Sequence, residues 1–237
     1  MFVPFVIDMP SLTYVGGMFE GINGGSPTRV IPLTALTGGS SAAPSAGDIV
    51  VVTSGFSGFG NGNPGVVTAG YTEIADLYAN DVLDANLSVA YKIMGSTPDT
   101  SITVQSTNDT DYGSAASIQV WRGVNQITPI DVASTTATGV NAARPNAPAI
   151  IPITPGAVII ACGLGTTNTT PVDFTAPAGM INHVVASGAG VKAGCCAATA
   201  SYSTWTSGAY DPAAWTGGES VADDSWCAVT LVLRPEI

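Results

Sequence analysis

Charge is scarce in this sequence. Of 237 residues only 10% are Asp, Glu, Lys or Arg, where soluble domains carry about a quarter. Long solvated helices and coiled coils need those residues in quantity and are excluded. Six basic residues stand against 17 acidic ones, a formal charge of -11, which makes nucleic acid a poor partner. There is a single histidine, His183, and none of the four cysteines sits in a CxxC pair. Long apolar runs are also missing. Ala149 to Cys162 is broken by Pro152 and Pro155, and the apolar start, Met1 to Pro10, has no basic flank and is interrupted by Asp8. Neither reads as a membrane span or signal peptide, so the expectation is a chain made in a cytoplasm with no membrane partner.

What remains is β-forming residues and turn formers. The hydrophobic fraction of 46% is too high for disorder, and the 28 Gly and 16 Pro lack the collagen period. Short Val-, Ile- and Thr-rich segments alternate with Gly, Pro, Asn and Ser clusters, the pattern of an antiparallel β-sandwich, jelly roll or barrel. Strands are expected near Leu12–Val15, Arg29–Leu36, Asp48–Thr53, Thr72–Leu77, Leu87–Ile93 and Ser101–Gln105. A second set falls near Ser117–Arg122, Ala157–Cys162, Ile181–Ala186, Lys192–Ala198 and Trp226–Arg234. Continuous Ile49–Val52 and Val158–Ile160 suit strands covered on both faces, and alternating Ser88–Ile93 suits one wet face. Glu73–Leu83 is the one stretch with helix-like spacing.

The two halves echo each other. Gly47-Asp48-Ile49-Val50-Val51 matches Gly156-Ala157-Val158-Ile159-Ile160, and Ala69-Gly70-Tyr71-Thr72 falls at the offset of Ala178-Gly179-Met180-Ile181. Each half closes on an arginine, in Val120-Trp121-Arg122 and Val232-Leu233-Arg234. Two similar β runs would give a pseudo-symmetric sandwich, with chance similarity as the competing account. A single domain over 11–237 is expected, preceded by an arm at 1–10. Gly139–Pro148 is the one linker candidate.

Several pieces together resemble a family of phage and prophage proteins of β-sandwich type, jelly-roll or lectin-like. They are Leu33-Thr34-Ala35-Leu36-Thr37-Gly38-Gly39, Pro44-Ser45-Ala46-Gly47-Asp48-Ile49-Val50 and Gly70-Tyr71-Thr72-Glu73. Ile118 to Val124 follows with Pro129-Ile130-Asp131, then Ala176-Pro177-Ala178-Gly179-Met180 and the closing Trp226 to Pro235. The "RGV…PID" piece is the most distinctive, and Met180 departs from the tryptophan common in the family. The resemblance implies a virion-associated structural protein or bacterial surface module, and no catalytic residue.

Chemistry-bearing residues each admit a plain and a sharper reading. His183 has no accompanying nucleophile motif, so a packed or solvated ring is expected rather than a catalytic base. The cysteines are expected as small buried hydrophobes, with a metal or redox role as the alternative, and Cys195 and Cys196 on opposite strand faces. Asp48 should bond loop amides. Arg122 should form a salt bridge or bind backbone carbonyls beside Asp131, with a substrate-clamping arginine as the alternative. Asp109 and Asp111, ahead of Gly113, form a fragment of a calcium-loop pattern or an Asx-rich turn. Asp81, Asp84, Asp223 and Asp224 read as solvated turn carboxylates, although a glycosidase needs only two. Trp205, Tyr210 and Trp215 lie in a long loop that either binds glycan or partner, or folds back on the core.

The leading expectation is therefore a non-enzymatic virion protein without cofactor, a capsid-decorating (cement) or tail-associated subunit on the outer surface of a particle assembled in the host cytoplasm. Its partners would be major capsid or tail protein and copies of itself in a symmetric oligomer such as a trimer, with Met1, Phe2, Val3, Phe5 and Val6 as the subunit anchor. A carbohydrate-binding adhesion module acting through the tryptophan loop on host surface glycan is the second expectation. A glycan-degrading enzyme is the third.

Overall fold

A computed structural model describes residues 11–58, 60–140, 144–168, 170–218 and 224–236; the expected anchor residues 1–10 lie outside them. Among the described residues the chain is all-β with no helix. Seven strands come from the first half: β1 (Thr13–Ile22), β2 (Thr28–Pro32), β3 (Ile49–Gly58), β4 (Thr72–Ala79), β5 (Asp84–Ile93), β6 (Ser101–Gln105) and β7 (Ser114–Arg122). Seven more follow: β8 (Thr135–Val140), β9 (Val158–Thr167), β10 (Phe174–Thr175), β11 (Ile181–Gly188), β12 (Gly194–Tyr202), β13 (Thr216–Gly217) and β14 (Ser225–Leu233).

Two five-stranded antiparallel sheets dominate, ordered β1-β7-β3-β5-β4 and β8-β14-β9-β12-β11. Counting only the five strands that each half gives to its sheet, the wiring is the same. The echoes in sequence fall at matched places: Gly47 and Gly156 turn into β3 and β9, Gly70 and Gly179 precede β4 and β11, and Arg122 and Arg234 end β7 and follow β14. In the first pair of turns the amide of Asp48 donates to the Ser45 carbonyl and that of Ala157 to the Thr154 carbonyl, both at 3.1 Å. The third residue of each turn has φ of 84° (Gly47) and 80° (Gly156), a conformation that glycine enters without steric cost.

The sheets stack face to face. β1 lies against β11, β7 against β12, β3 against β9, β5 against β14 and β4 against β8. Exchanging the halves maps four of the stacked pairs onto one another and the β3–β9 pair onto itself, so the sandwich has a pseudo-two-fold axis through β3 and β9, like an isologous dimer drawn into one chain. Of the expectation written as sandwich or jelly roll, these orders carry the sandwich.

Apolar burial explains why neither sheet remains open. Ile49, Val51, Leu87, Val89, Trp121, Ile160, Leu164, Val229 and Leu231 fill the space between the sheets. On the outer face of the first sheet, Val50, Val52, Ile118 and Val120 are covered by Ile31, Leu33, Ile102 and Val104, largely from the β2–β6 ribbon. On the outer face of the second, Ala161, Ala198, Ala200 and Ala228 lie under Phe174, Met180 and Trp215, while Ile159 and Val232 meet Ile150 and Trp205. Small alanines on the sheet thus match large rings on the cover. Gly163 completes that fit: a Cβ there would stand 2.9 Å from Trp215 Nε1 and 2.8 Å from Pro145. Two-sided burial accounts for the unbroken apolar runs in β3 and β9.

Several expectations need correction. The helix-like stretch Glu73–Leu83 is strand β4 followed by a turn. A bulge between Glu73 and Ala75 inserts one residue, which converts strand alternation into the spacing of Ile74, Leu77 and Tyr78 that imitates a helix face. Ser88–Ile93 does not have one wet face, because Ser88, Val89 and Ala90 are all buried. The linker candidate Gly139–Pro148 begins inside β8, where Gly139 pairs with Trp226; the crossing between halves is the segment after β7.

Candidate functional site

Most groups with chemical potential are committed to holding the sandwich together. Arg122, at the end of β7, donates through Nε and Nη2 to the two carboxylate oxygens of Asp48 at 2.8 and 2.9 Å. It does not bind beside Asp131, as its sequence neighbourhood suggested. Asp131 takes Arg234 instead, with Nε to Oδ1 at 3.1 Å and Nη2 to the backbone carbonyl at 3.0 Å. It also accepts from the Ile153 and Thr154 amides at 2.7 and 3.1 Å and from Thr154 Oγ1. Burial of the Asp131 carboxyl raises its pKa, but these donors outweigh burial and leave it below the ordinary value. Asp48 does bond its loop, accepting from the Ser45 amide at 2.7 Å.

Of the carboxylates expected to be solvated, Asp84 and Asp224 are buried, Asp81 is partly exposed, and Asp223 lies outside the described residues. Asp84 opens β5 and accepts from the Gly60 amide, the Asp81 amide and the Tyr78 hydroxyl; beside it, Asn86 Oδ1 accepts from the Gly62 amide at 2.7 Å. Together they pin the glycine-rich loop that precedes β4. Asp109 Oδ1 accepts from the Asp111 amide at 2.9 Å, an Asx turn, while Asp111 pairs with Lys192 at 2.5 Å. Among the described residues no three His, Cys, Asp or Glu side chains form a metal-binding group.

All four thiols are buried. Cys195 faces the space between the sheets and Cys196 the outer cover, as strand alternation requires. Burial pushes the thiols of Cys162, Cys196 and Cys227 up to about 12, and raises that of Cys195 as well. The tryptophans of the long loop fold back on the core. Trp215 is fully buried, Trp205 is 9% exposed and donates to the Gly208 carbonyl at 2.9 Å, and Tyr210 stacks on Tyr202 at 4.3 Å. Their rings are cover for the second sheet and not an exposed platform.

The seam between β1 and β11 is a different place. The strand pairing of β11 shifts between Ile181 and Val184, and Asn182 there has φ of 52°, the one non-glycine residue at positive φ among those described. A polar network from the other half fixes this bulge. Gln119 Nε2 donates to the Asn182 carbonyl at 2.7 Å, Trp121 Nε1 donates to Gln119 Oε1 at 3.0 Å, and Ser117 Oγ donates to the Val184 carbonyl at 2.8 Å. Asn182 Nδ2 donates to Ser201 Oγ at 2.9 Å. The bulge leaves His183 exposed at the seam, packed on Trp215 at 5.6 Å between ring centroids. Partial burial lowers its pKa and nearby Asp173 opposes that shift. Sequence reasoning named His183 but missed its surroundings, and the sole signal was the break in alternation over Ile181–Val184.

Beside His183 lies a cleft of about 240 Å³, lined by Tyr14, Phe19, Thr37, Asp173 and Asn182 among others. A second recess of about 320 Å³, on the outer side of the first sheet, is lined by Asn63, Tyr71, Glu73 and Gln105; Glu73 already accepts from Ser88 Oγ at 2.6 Å. The chain matches no protein-family model, no curated protein and no solved structure.

Proposed function

We propose that this chain is a non-enzymatic structural protein of a bacteriophage particle, an outer capsid-decorating (cement) or tail-associated subunit. The sequence resemblance to phage and prophage β-sandwich proteins sets that context. The commitment of Asp48, Asp84, Asp131, Arg122 and Arg234 to internal bonds, with all four thiols buried, supports a structural part over a catalytic one. A glycosidase or calcium site would need carboxylates at liberty, while Asp48, Asp84, Asp111 and Asp131 each hold a structural partner.

One observation carries the reading further. Ile127, Ile151 and Ile153 are 90%, 63% and 64% exposed, and two of them are tied through the backbone or a chain neighbour to the Arg234–Asp131 pair. Ile127 adjoins Thr128, which accepts from Arg234, and the Ile153 amide donates to Asp131. Side chains of this size set outward on pinned loops suit a surface covered by another protein. Thin surface charge suits the same covering, because unpaired charges are costly to bury. Capsid or tail protein and further copies of this chain would be the partners, on the outside of the virion.

Mixing the purified chain with undecorated capsids and with tails, followed by sedimentation, tests the reading. The chain should sediment with one of them, and Ile127→Glu with Ile153→Glu should abolish this at an unchanged melting temperature. A chain that stays in the supernatant with both particles contradicts it.

A further inference from the structure

We propose that the cleft between β1 and β11 binds one residue of a neutral glycan. The argument starts from the backbone. A bulge in an edge strand re-aims side chains, and a non-glycine residue at positive φ is strained unless its surroundings enforce it. Here Gln119 of the first half and Ser201 of the second grip Asn182 from both sides, and the outcome is an exposed His183 on the wall of a cleft at the junction of the two halves. Junctions of this kind are where ligand sites concentrate. The matching edge strand of the first half, β4, also bulges, between Glu73 and Ala75, but among the described residues it has no non-glycine residue at positive φ.

The lining supplies what a sugar ring needs. Phe19 is 54% exposed, so its ring offers an apolar face to the C–H side of a pyranose, with Tyr14 adjoining. Asp173 Oδ1 already accepts from Ser187 Oγ at 2.7 Å, which leaves Oδ2 to accept from a sugar hydroxyl. A neutral imidazole at His183 presents one donor and one acceptor, and Thr37 adds a hydroxyl. Among the described residues no lysine or arginine lines the cleft, and the chain carries -11, so acidic sugars are disfavoured. The volume of about 240 Å³ lies below the ~300–1,000 Å³ of drug-sized sites, so the cleft takes one sugar residue and not an oligosaccharide. Affinity for a single residue should then be on the order of millimolar, and repeated copies on one surface would supply avidity. The inference rests on the cleft alone and stands whether or not the chain belongs to a virion.

The test uses the full chain on an array of neutral hexose, N-acetylhexosamine and sialylated termini, followed by NMR titration with the best monosaccharide. A neutral terminus should bind, with shifts confined to His183, Asn182 and Phe19. Phe19→Ala and Asp173→Asn should each weaken binding roughly tenfold or more at unchanged melting temperature, and Trp205→Phe should leave it intact. Absence of any neutral-sugar binding at high-millimolar concentration overturns the proposal, as does binding retained by both variants, preference for sialylated termini, or shifts located elsewhere.

Discussion

Arg234 and Asp131 bond across 103 residues of chain, Nε to Oδ1 at 3.1 Å, and repeat in the second half what Arg122 and Asp48 do in the first. Both arginines close the last long strand of their half. Both carboxylates also accept the amide of the residue that starts the matched turn, Ser45 in one half and Thr154 in the other. Yet the carboxylates occupy different positions in the two halves. Asp48 belongs to its own turn, whose counterpart is Ala157, and Asp131 arrives from the crossing before β8. The corner has been kept while its acid moved.

Removing either arginine takes a charged donor from a buried carboxylate. Asp48 and Asp131 side chains are 1% and 0% exposed, but their arginines are 47% and 24% exposed and other donors remain, so Arg122→Ala and Arg234→Ala should each cost about 1–3 kcal/mol. Urea denaturation monitored by tryptophan fluorescence checks this. A midpoint within error of the parent for both variants would dismiss the corners as bystanders.

Acid should act through the same corner. The pKa of Asp131 is depressed in the fold, so its contribution is present above the unfolded value near 3.8 and is lost as pH falls through the lower folded value. Asp131→Asn should lower stability at neutral pH and flatten the loss between about pH 4 and the acid limit. Melting temperature measured from pH 7 to pH 2 reads both effects.

Thiol chemistry should be silent until the sandwich opens. With Cys162, Cys196 and Cys227 pushed up to about 12 and Cys195 also raised, native protein should leave a thiol-reactive dye unreduced at pH 8, because the thiolate is the reactive form. Denatured protein should release four equivalents, one per cysteine.

Trp215 should matter for stability and not for recognition. It is fully buried over the alanines of the second sheet, so Trp215→Ala should cost about 3–5 kcal/mol, as large core truncations do. A folded, equally stable variant that lost a binding activity would reverse this assignment.

Much of the architecture was legible in the sequence because turn glycines and apolar runs leave local marks. Gly47 and Gly156 announced the start of β3 and β9, and Ser101–Gln105 coincides with β6. Strand β8, Thr-Thr-Ala-Thr-Gly-Val, left none; it is an edge strand whose side chains alternate between half-buried and exposed, so no apolar pattern is imposed on it. Thr72–Leu77 reads as the strand it is, but the bulge in β4 lends Glu73–Leu83 its helix-like spacing. Another bulge hid the seam at Asn182, since one inserted residue reverses which positions face inward. Ion pairs were illegible for another reason. Asp131 lies nine residues from Arg122 in sequence, and only the antiparallel pairing of Ile130 with Leu233 brings Arg234 to it.

Electron microscopy of intact particles from a host producing this chain tests the central claim most directly. The account requires density for a two-sheet sandwich on the outer surface, with the end bearing Ile127, Ile151 and Ile153 turned toward a neighbouring subunit. Particles that lack the chain, or that carry it with this end facing solvent and no protein against it, would contradict the account.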